Sequence, residues 1–269
     1  MTPFAEVVGD PVAHSKSPLI HRFWLSALGL TGDYLATRVA TDALSAHIET
    51  RRHDARWRGC NVTIPHKIDV MALVDDPGDV RGSIGAMNTI LRAPDGTLTG
   101  TNTDAAGFYA PIAGLPLTDA PVAVVGTGGA AHAVLFALAR ANVGAVTMIA
   151  RNSLKAGAML ARFGLKGTVQ SLGKPVPPVA LLVNATQLGM AGQQPLDLVL
   201  DNLRDDTVVY DIVYAPLDTG LLRAASERGL AIVDGLDMLI GQAALAFALF
   251  FGVEPPRDRD DELRALLTS

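Results

Sequence analysis

The chain contains a lysine and a carboxylate that are placed to act as an acid–base pair. Asn61-Val-Thr-Ile-Pro-His-Lys67 reads as a buried strand that stops at Pro65 and leaves a lysine just past its end. Thr101-Asn-Thr-Asp104 likewise places a carboxylate after a short apolar segment. An ammonium and a carboxylate that meet at strand ends can transfer a proton to and from a bound molecule. Each also has an ordinary explanation, because most lysines are solvated surface charges and Asp104 could cap the helical pattern that follows it.

Other polar residues occupy comparable positions. Ser15 and Ser17 precede Pro18 and a helical pattern. Such hydroxyls commonly cap the helix, but together with the free N–H groups of a helix start they can also bind a carboxylate. Asn88 opens an otherwise apolar strand at Thr89–Arg92.

A separate segment has the order strand, glycine turn and helix. Val122–Val125 runs directly into Gly126-Thr-Gly-Gly-Ala-Ala131, and a helical pattern follows. Gly126 can make the tight turn, Gly128 lets the backbone approach a phosphate, and Ala131 is small enough for close helix–strand packing. This context predicts a dinucleotide site with phosphates at the helix start.

The end of the next strand indicates which dinucleotide is bound. An NAD site usually has Asp or Glu there, whereas Val146–Ala150 is followed by Arg151-Asn-Ser-Leu-Lys155. Two cations and two polar side chains suit a 2′-phosphate, so NADP is favoured over NAD. The alternative is that Arg151 is an ordinary solvated residue at a strand end.

Composition limits the remaining classes of function. The 269 residues are 49% hydrophobic and 18% charged, which suits two medium domains or one large α/β domain. A net charge of −5 gives no reason to expect nucleic acid or an anionic membrane as a partner.

Cys60, the only cysteine, is expected to be a small buried residue in a reducing cytoplasm, and no signal peptide is expected. Leu236–Phe251 is apolar but contains Asp237 and Gln242, which favours a buried amphipathic helix over a membrane span.

Short strand patterns alternate with helical ones along the chain, which predicts an α/β fold with largely parallel sheets. The predicted strands are Glu6–Val8, Tyr34–Val39, Gly59–Thr63, Thr89–Arg92, Val122–Val125, Val146–Ala150, Ala180–Val183, Thr207–Asp211 and Ala231–Val233. The predicted helices between them are Pro18–Leu28, Asp42–Arg52, Ala105–Ile112, Gly129–Asn142, Leu154–Phe163 and Thr219–Arg228. A breaker-rich stretch at Ala113–Pro121 marks a domain boundary, and a second crossing is expected near Asp234-Gly235.

From end to end the chain resembles the shikimate dehydrogenase family. The matching segments, in the family's order, are Gly9–Pro18, Asn61–Lys67, Gly85–Ile90, Asn102–Asp104 with Gly107, Gly126–Ala131, Asn184–Thr186 with Gly189-Met190, Tyr210–Tyr214 with Pro216-Leu217, and Gly235–Leu239 with Gln242. The resemblance implies reversible, NADPH-dependent reduction of 3-dehydroshikimate to shikimate in chorismate and aromatic amino acid biosynthesis. It also implies an N-terminal substrate-binding and catalytic domain of residues 1–106 plus 236–269, and a Rossmann-type NADP-binding domain of residues 107–235. The partners expected are small molecules only, with a monomer or homodimer as the assembly.

The resemblance also implies roles for individual residues. Lys67 and Asp104 would be the catalytic pair, and Ser15 and Ser17 would bind the substrate carboxylate. The residues expected to contact the carboxylate or ring hydroxyls of the substrate are Thr63, Asn88, Asp104, Tyr214 and Gln242. The residues expected to line the cofactor are Gly126, Thr127, Gly128, Gly129, Ala130, Arg151, Lys155, Ile212, Gly235 and Met238. No metal is implied.

Two positions depart from the family pattern. The family commonly has Asn-Arg-Thr after the second cofactor strand, where this chain has Ala150-Arg-Asn152, so the lost amide could weaken binding of the adenosine phosphate unless Asn152 replaces it. Gln187 stands where a serine usually follows Asn-Ala-Thr. The alternatives left open are a quinate/shikimate or aminoshikimate dehydrogenase and, from another class, a ligand-sensing protein on the same scaffold. Retention of both Lys67 and Asp104 argues against the last of these.

Overall fold

The computed structural model describes residues 2–269, which form two compact units. The first unit combines the residues up to Asp104 with Ile240–Ser269, and the second is Ala105–Leu239. Each unit contains one sheet with parallel strands, flanked in sequence by helices. The predicted α/β fold class is therefore confirmed.

The sheet of the first unit has five strands in the order β2-β1-β3-β4-β5. Their bounds are β1 Phe4–Gly9, β2 Asp33–Arg38, β3 Trp57–Val62, β4 Thr89–Arg92 and β5 Leu98–Thr101. Strand β1 pairs in parallel with β2 and β3, whereas β3–β4 and β4–β5 are antiparallel. The carboxyl end of β3, the amino end of β4 and the carboxyl end of β5 therefore lie at the same edge of the sheet.

The helices of the first unit cover this sheet with large apolar side chains. Their bounds are α1 Ser17–Ala27, α2 Leu44–Arg52, α3 Val80–Ser83, α9 Asp260–Thr268, and the part of α8 (Gly235–Phe251) that begins at Ile240. Trp24, Tyr34 and Phe247 are fully buried, and the His21 ring stacks on Tyr34 with 3.9 Å between ring centroids. Cys60 is buried on β3 as predicted, and burial raises the pKa of its thiol well above the ordinary value.

Glu6 is a fully buried carboxylate on β1, a strand with neighbours on both sides. Arg51 donates to it twice, from Nε to Oε1 at 2.7 Å and from Nη2 to Oε2 at 3.0 Å. The Thr37 hydroxyl donates to Oε2 at 2.5 Å, and His47 Nε2 lies 3.2 Å from Oε1. Burial by itself raises the pKa of Glu6, but the hydrogen bonds from these three side chains outweigh it and hold the pKa below its ordinary value.

We expect Glu6→Gln to lower the free energy of unfolding at pH 7 by about 3 kcal/mol, because the substitution leaves the mostly buried Arg51 without its partner. Folding depresses the pKa of Glu6, so ionised Glu6 stabilises the fold. This contribution to the free energy of unfolding is fully present at a pH above the ordinary pKa of 4.5, and it is lost as the pH falls through the folded-state pKa. Urea unfolding at pH 7 and at decreasing acidic pH measures both effects. This account would be contradicted if the difference in free energy of unfolding between wild type and Glu6→Gln stayed constant at every acidic pH measured.

The sheet of the second unit has six strands, all parallel, in the order β11-β10-β9-β6-β7-β8. Their bounds are β6 Val122–Val125, β7 Val146–Ile149, β8 Gly167–Gln170, β9 Leu181–Asn184, β10 Val208–Asp211 and β11 Ala231–Val233. Strands β6 and β9 are buried along their whole length, as expected for parallel strands covered on both faces. The chain runs outward from β6 to β8 and then returns to β9 on the other side of β6. The order of strands thus reverses between β6 and β9.

The helices of the second unit are α4 Asp104–Tyr109 from its second residue onward, α5 Gly129–Arg140, α6 Ser153–Arg162, α7 Gly220–Glu227 and the first residues of α8. Three of them have side-chain caps: Asn152 Oδ1 accepts from Lys155 N–H at 2.9 Å, Thr219 Oγ1 accepts from Leu222 N–H at 3.2 Å, and Asp234 Oδ1 accepts from Leu236 N–H at 2.9 Å. Ala131, Val134 and Leu138 on α5 are fully buried in the core of this unit. Since β6 ends at Val125 and α5 begins at Gly129, the amino end of α5 comes directly after the strand.

Four of the strands and helices given above lay outside the sequence predictions, and one of them, α3, is a single turn of four residues. Strand β5 is only four residues long and contains Gly100, and β8 is a largely exposed edge strand, so neither has a strong strand pattern. Helix α9 buries only Leu263 and Leu267. Among residues 2–269, no helix combines the length and apolarity needed to span a membrane.

Candidate active site

Lys67 is fixed by the turn that follows β3. The His66 N–H donates to Thr63 O at 2.9 Å, and the buried His66 ring places Nε2 2.7 Å from Val39 O. A carbonyl only accepts, so Nε2 carries the ring proton. From the other side, Met87 N–H donates to Lys67 O at 2.8 Å. The backbone of the lysine is therefore held independently of its side chain.

Lys67 and Asp104 form an ion pair with little exposure to solvent. Lys67 Nζ lies 2.5 Å from Asp104 Oδ2, and the two side chains are 13% and 6% exposed. The other carboxylate oxygen, Oδ1, accepts from Asn88 Nδ2 at 2.9 Å. Low exposure strengthens such charge-assisted bonds and restricts both side chains to one geometry.

Asn88 is the centre of the polar cluster at this sheet edge. Its Nδ2 lies 2.9 Å from Thr103 Oγ1 and 3.4 Å from Gln242 Oε1, in addition to Asp104. Asn88 is 2% exposed and Gln242 7%. The sheet edge thus brings together Lys67, Asn88, Asp104 and Gln242, because β3, β4 and β5 place their neighbouring ends there and α8 contributes Gln242.

The serines lie before α1. Ser17 is buried and Ser15 is half-buried, and Ser15 Oγ accepts from Ser17 N–H at 3.3 Å. Helix α1 begins after Lys16, which makes no side-chain cap bond. The Lys16 ammonium instead donates to Leu267 O on α9. Thr63 is half-buried in the turn that leads to Lys67. Lys16 itself therefore does not cap α1, but the Ser15 hydroxyl satisfies the first N–H of the helix, so capping and carboxylate binding both stay open as explanations of Ser15.

In the second unit, the glycine turn follows β6 at the point where the strand order reverses. Gly126 has φ +108°, and a Cβ there would lie 2.5 Å from Thr186 Cγ2 and 3.1 Å from Ala185 O. Only glycine fits both the backbone and the space. In α/β sheets with this topology, ligands bind beyond the carboxyl ends of the strands at the reversal.

Gly128 is a different case. Its φ of −84° and ψ of −176° are open to any residue, and a Cβ placed there would meet nothing within 4 Å. Neither backbone conformation nor packing requires a glycine at this position. Gly128 is also the residue before the first turn of α5, whose N–H groups lack intrahelical partners. Thr127, Gly129 and Ala130 are half-buried beside it. An approaching phosphate would explain why a side chain is missing here.

Two cations stand beside the start of α6. Arg151 and Lys155 are exposed, and neither forms an ion pair with any residue of 2–269. Asn152 Oδ1 is used as the helix cap, and Ala150 is buried at the end of β7. The positive charges are therefore available to a ligand.

The remaining predicted residues of this unit follow β10 and β11. Ile212 and Tyr214 are half-buried, and Met238 is 6% exposed. A Cβ on Gly235 would lie 2.4 Å from Ile212 O and 2.5 Å from Val213 O, so glycine lets α8 begin against these carbonyls. Gln187 is half-buried, and nothing in the structure explains its replacement of a serine.

Three residues near the pair were not singled out from the sequence. Asn61 and Thr89 face each other across β3 and β4, and Thr103 bonds to Asn88. What could have indicated them in the sequence is that polar residues stand in or beside strands that are otherwise apolar.

The fold and these two sites define a class of protein, a two-unit dinucleotide-binding oxidoreductase with an acid–base pair in one unit. Residues 7–90 match the family model described as shikimate dehydrogenase substrate binding domain, and residues 235–260 match shikimate 5′-dehydrogenase C-terminal domain. The chain is 69% identical over 268 residues to the shikimate dehydrogenase (NADP(+)) of Sphingopyxis alaskensis, covering 100% of this chain and 98% of the relative. The chain belongs to the shikimate dehydrogenase family.

Solved structures are similar over the whole chain. Shikimate 5-dehydrogenase from Thermus thermophilus, in complex with NADP(H) and shikimate, has a TM-score of 0.86 and 38% identity, covering 99% of this chain and 100% of that one. Quinate dehydrogenase from Corynebacterium glutamicum, in complex with NAD, has a TM-score of 0.85 and 26% identity, covering 98% and 99%. The same fold therefore occurs in proteins named for different substrates and cofactors.

Proposed function

We propose that this chain is an NADP-dependent shikimate dehydrogenase that reversibly reduces 3-dehydroshikimate to shikimate, a step of chorismate and aromatic amino acid biosynthesis. The observation that carries the proposal is the 2.5 Å pair of Lys67 and Asp104, next to Asn88, in a chain 69% identical to an enzyme of that name. A protein that only senses a ligand has no need of a proton donor held in this way.

In the proposed reaction, Lys67 manages the proton. NADPH, when bound, supplies a hydride to the carbonyl carbon of the substrate. As negative charge grows on the carbonyl oxygen, the Lys67 ammonium stabilises it and donates a proton, and the neutral amine accepts the proton in the reverse direction. Asp104 Oδ2 orients the ammonium, while Asn88 holds Oδ1. The substrate contacts proposed in the first unit are Ser15 and Ser17 for the carboxylate, and Thr63, Asn88, Asp104 and Gln242 for the carboxylate or hydroxyls. Tyr214 stays a predicted substrate contact.

The second unit has the features that NADP requires. We assign the pyrophosphate to the turn of Gly126, Thr127, Gly128, Gly129 and Ala130, where backbone N–H groups are free at the start of α5. Arg151 and Lys155 provide unpaired positive charge for the 2′-phosphate. Ile212, Gly235 and Met238 are proposed to line the nicotinamide end.

We expect Gly128→Val to raise the KM for NADP by roughly tenfold or more, because its side chain would occupy the space in front of the α5 N–H groups. Thermal stability should change little, since the backbone angles suit valine and nothing lies within 4 Å of the Cβ position. Gly126→Val is the matched comparison and should unfold at a lower temperature, because its Cβ clashes with Thr186 and its φ is positive. An unchanged KM for NADP in Gly128→Val would remove this position from the cofactor site.

The substrate and cofactor are tested together by measuring kcat/KM for shikimate and for quinate, each with NADP and with NAD. We expect shikimate with NADP to give the highest value. The second candidate is a quinate/shikimate dehydrogenase, favoured by the similarity to the NAD complex of quinate dehydrogenase. A kcat/KM for quinate equal to that for shikimate would establish this candidate. No activity with any of the four combinations of substrate and cofactor would favour the ligand-sensing alternative.

We further propose a cytoplasmic enzyme that acts as a monomer or homodimer. Its single cysteine is buried and has no partner for an internal disulfide, which suits a reducing compartment. Its net charge of −5 gives no reason to expect nucleic acid or an anionic membrane as a partner. Light scattering during size-exclusion chromatography measures the assembly directly.

A further inference from the structure

A line of buried hydrogen bonds runs from strand β2 to the Lys67–Asp104 pair. The Tyr34 hydroxyl donates to Asn61 Oδ1 at 2.6 Å, and Asn61 Nδ2 donates to Thr89 Oγ1 at 3.0 Å. The Thr89 hydroxyl donates to Asn88 Oδ1 at 3.0 Å, and Asn88 Nδ2 donates to Asp104 Oδ1 at 2.9 Å. We call Tyr34, Asn61 and Thr89 the relay.

The direction of every bond in this line is determined by two backbone groups. Asn61 Nδ2 lies 3.3 Å from the Asn88 carbonyl, which only accepts, so the amide nitrogen of Asn61 faces it and Oδ1 faces Tyr34. Tyr34 must then donate. Asn88 Oδ1 accepts from the Thr103 backbone N–H at 2.7 Å. Only an oxygen can accept this bond, so the orientation of the Asn88 amide is determined as well. Thr89 accepts from Asn61 and has its one proton left for Asn88.

We propose that Tyr34, Asn61 and Thr89 are positioning residues for the proposed reaction, which act by setting the orientation of the Asn88 amide. The proposal rests on the proposed function, because it concerns the same acid–base pair. None of the three has a formal charge, and none is among the proposed substrate contacts. Together with Thr103 N–H, the relay directs the oxygen of Asn88 away from Asp104 and its N–H toward it.

The alternative orientation of Asn88 would disrupt the pair. Rotating the amide would place Oδ1 of Asn88 against Oδ1 of Asp104, and two acceptors at hydrogen-bond distance repel each other. Asp104 could then no longer hold both Asn88 and the Lys67 ammonium in the observed geometry. Since all the bonds point in one direction, each also polarises the next, which strengthens the donor that reaches the carboxylate.

The first member of the relay is itself held rigidly. Tyr34 is fully buried, and its ring stacks on His21, which burial keeps neutral by lowering the pKa of the imidazole to about 3. Burial raises the pKa of the Tyr34 hydroxyl well above its ordinary value, so the group remains a donor at any pH used for assay.

The relay is tested by Tyr34→Phe and Thr89→Val, with Thr89→Ser to restore the hydroxyl. Matched controls are Tyr210→Phe, which removes a buried hydroxyl without a hydrogen-bond partner among residues 2–269, and Thr207→Val, which removes a buried hydroxyl bonded to Val179 O. We expect Tyr34→Phe and Thr89→Val each to lower kcat about tenfold, the effect of losing one buried hydrogen bond at a reacting group. Thr89→Ser and both controls should retain a wild-type kcat, and Tyr34→Phe should lose nothing further when Asp104→Asn is already present.

The outcomes separate this proposal from the proposed function. If wild type does not oxidise shikimate with NADP, the proposed function fails before any variant is considered. If wild type is active and Tyr34→Phe keeps the kcat of Tyr210→Phe, the relay is overturned. The relay is also overturned if Thr89→Ser lowers kcat as much as Thr89→Val. The same conclusion follows if the double variant of Tyr34→Phe and Asp104→Asn loses as much kcat as the two single variants combined. Should Thr89→Val fail to fold, Tyr34→Phe decides the question alone, because the phenyl ring preserves the packing against His21.

Discussion

Replacing Lys67 with alanine is expected to lower kcat by roughly 10²- to 10⁴-fold, the range that general acid–base catalysis provides. The KM for shikimate should change little, because the proposed serines and amides that hold the substrate are untouched. The fold should survive, since the Lys67 backbone is fixed by Met87 N–H and by the His66 turn rather than by the side chain. Initial rates of NADPH formation, together with a thermal unfolding curve, measure the two effects separately.

Two further measurements distinguish proton transfer by Lys67 from the effect of its positive charge. Lys67→Arg keeps a cation beside Asp104 but cannot release its proton near neutral pH, so shikimate oxidation should stay low. Lys67→Ala leaves a space in which a small primary amine added to the buffer should recover part of the rate. Lys166→Ala, on the exposed surface before β8, is the control for loss of a lysine. A near-wild-type kcat in Lys67→Ala would refute the assignment of this residue.

The part of the site that the sequence predicted lies at the ends of elements with strong patterns. Gly126 follows four consecutive buried residues of β6, and Arg151 follows β7, the next strand both in sequence and in the sheet. When chain order and sheet order coincide in this way, the positions of strand ends can be deduced without a structure. The position of Lys67 could be predicted in a similar way, because Pro65 marks the end of β3.

The relay could not be predicted, because its contacts join strands that the sequence does not make adjacent. Tyr34 and Asn61 are 27 positions apart, on strands β2 and β3, and β1 lies between these strands in the sheet. The position of Asp104 also depends on β5, whose four residues, Leu-Thr-Gly-Thr, have too weak a pattern to be identified as a strand. Polar residues in buried strands are visible in the sequence, but the partner of each is a property of the tertiary register.

The second large effect concerns the cofactor. We expect Arg151→Glu to lower kcat/KM for NADP by roughly 100-fold or more, because the proposed charge-assisted contact to the 2′-phosphate would be replaced by repulsion between like charges. The value for NAD should change much less, since that cofactor presents a hydroxyl at the same position. The preference for NADP should therefore shrink or reverse, even though Arg151 stabilises no other described residue through an ion pair.

Lys166→Glu is the matched control, because it makes the same change of charge on an exposed residue. Lys166 precedes β8, at the amino edge of the parallel sheet, whereas Arg151 follows β7 at the carboxyl edge. A general effect of net charge would lower the NADP value in both variants, and binding of the 2′-phosphate would lower it only in Arg151→Glu. Increasing salt should reduce the loss in Arg151→Glu, since the repulsion is between exposed charges. If NADP and NAD lose activity equally, Arg151 does not contact the 2′-phosphate, and the preference for NADP must come from Lys155 and the remaining donors at the start of α6.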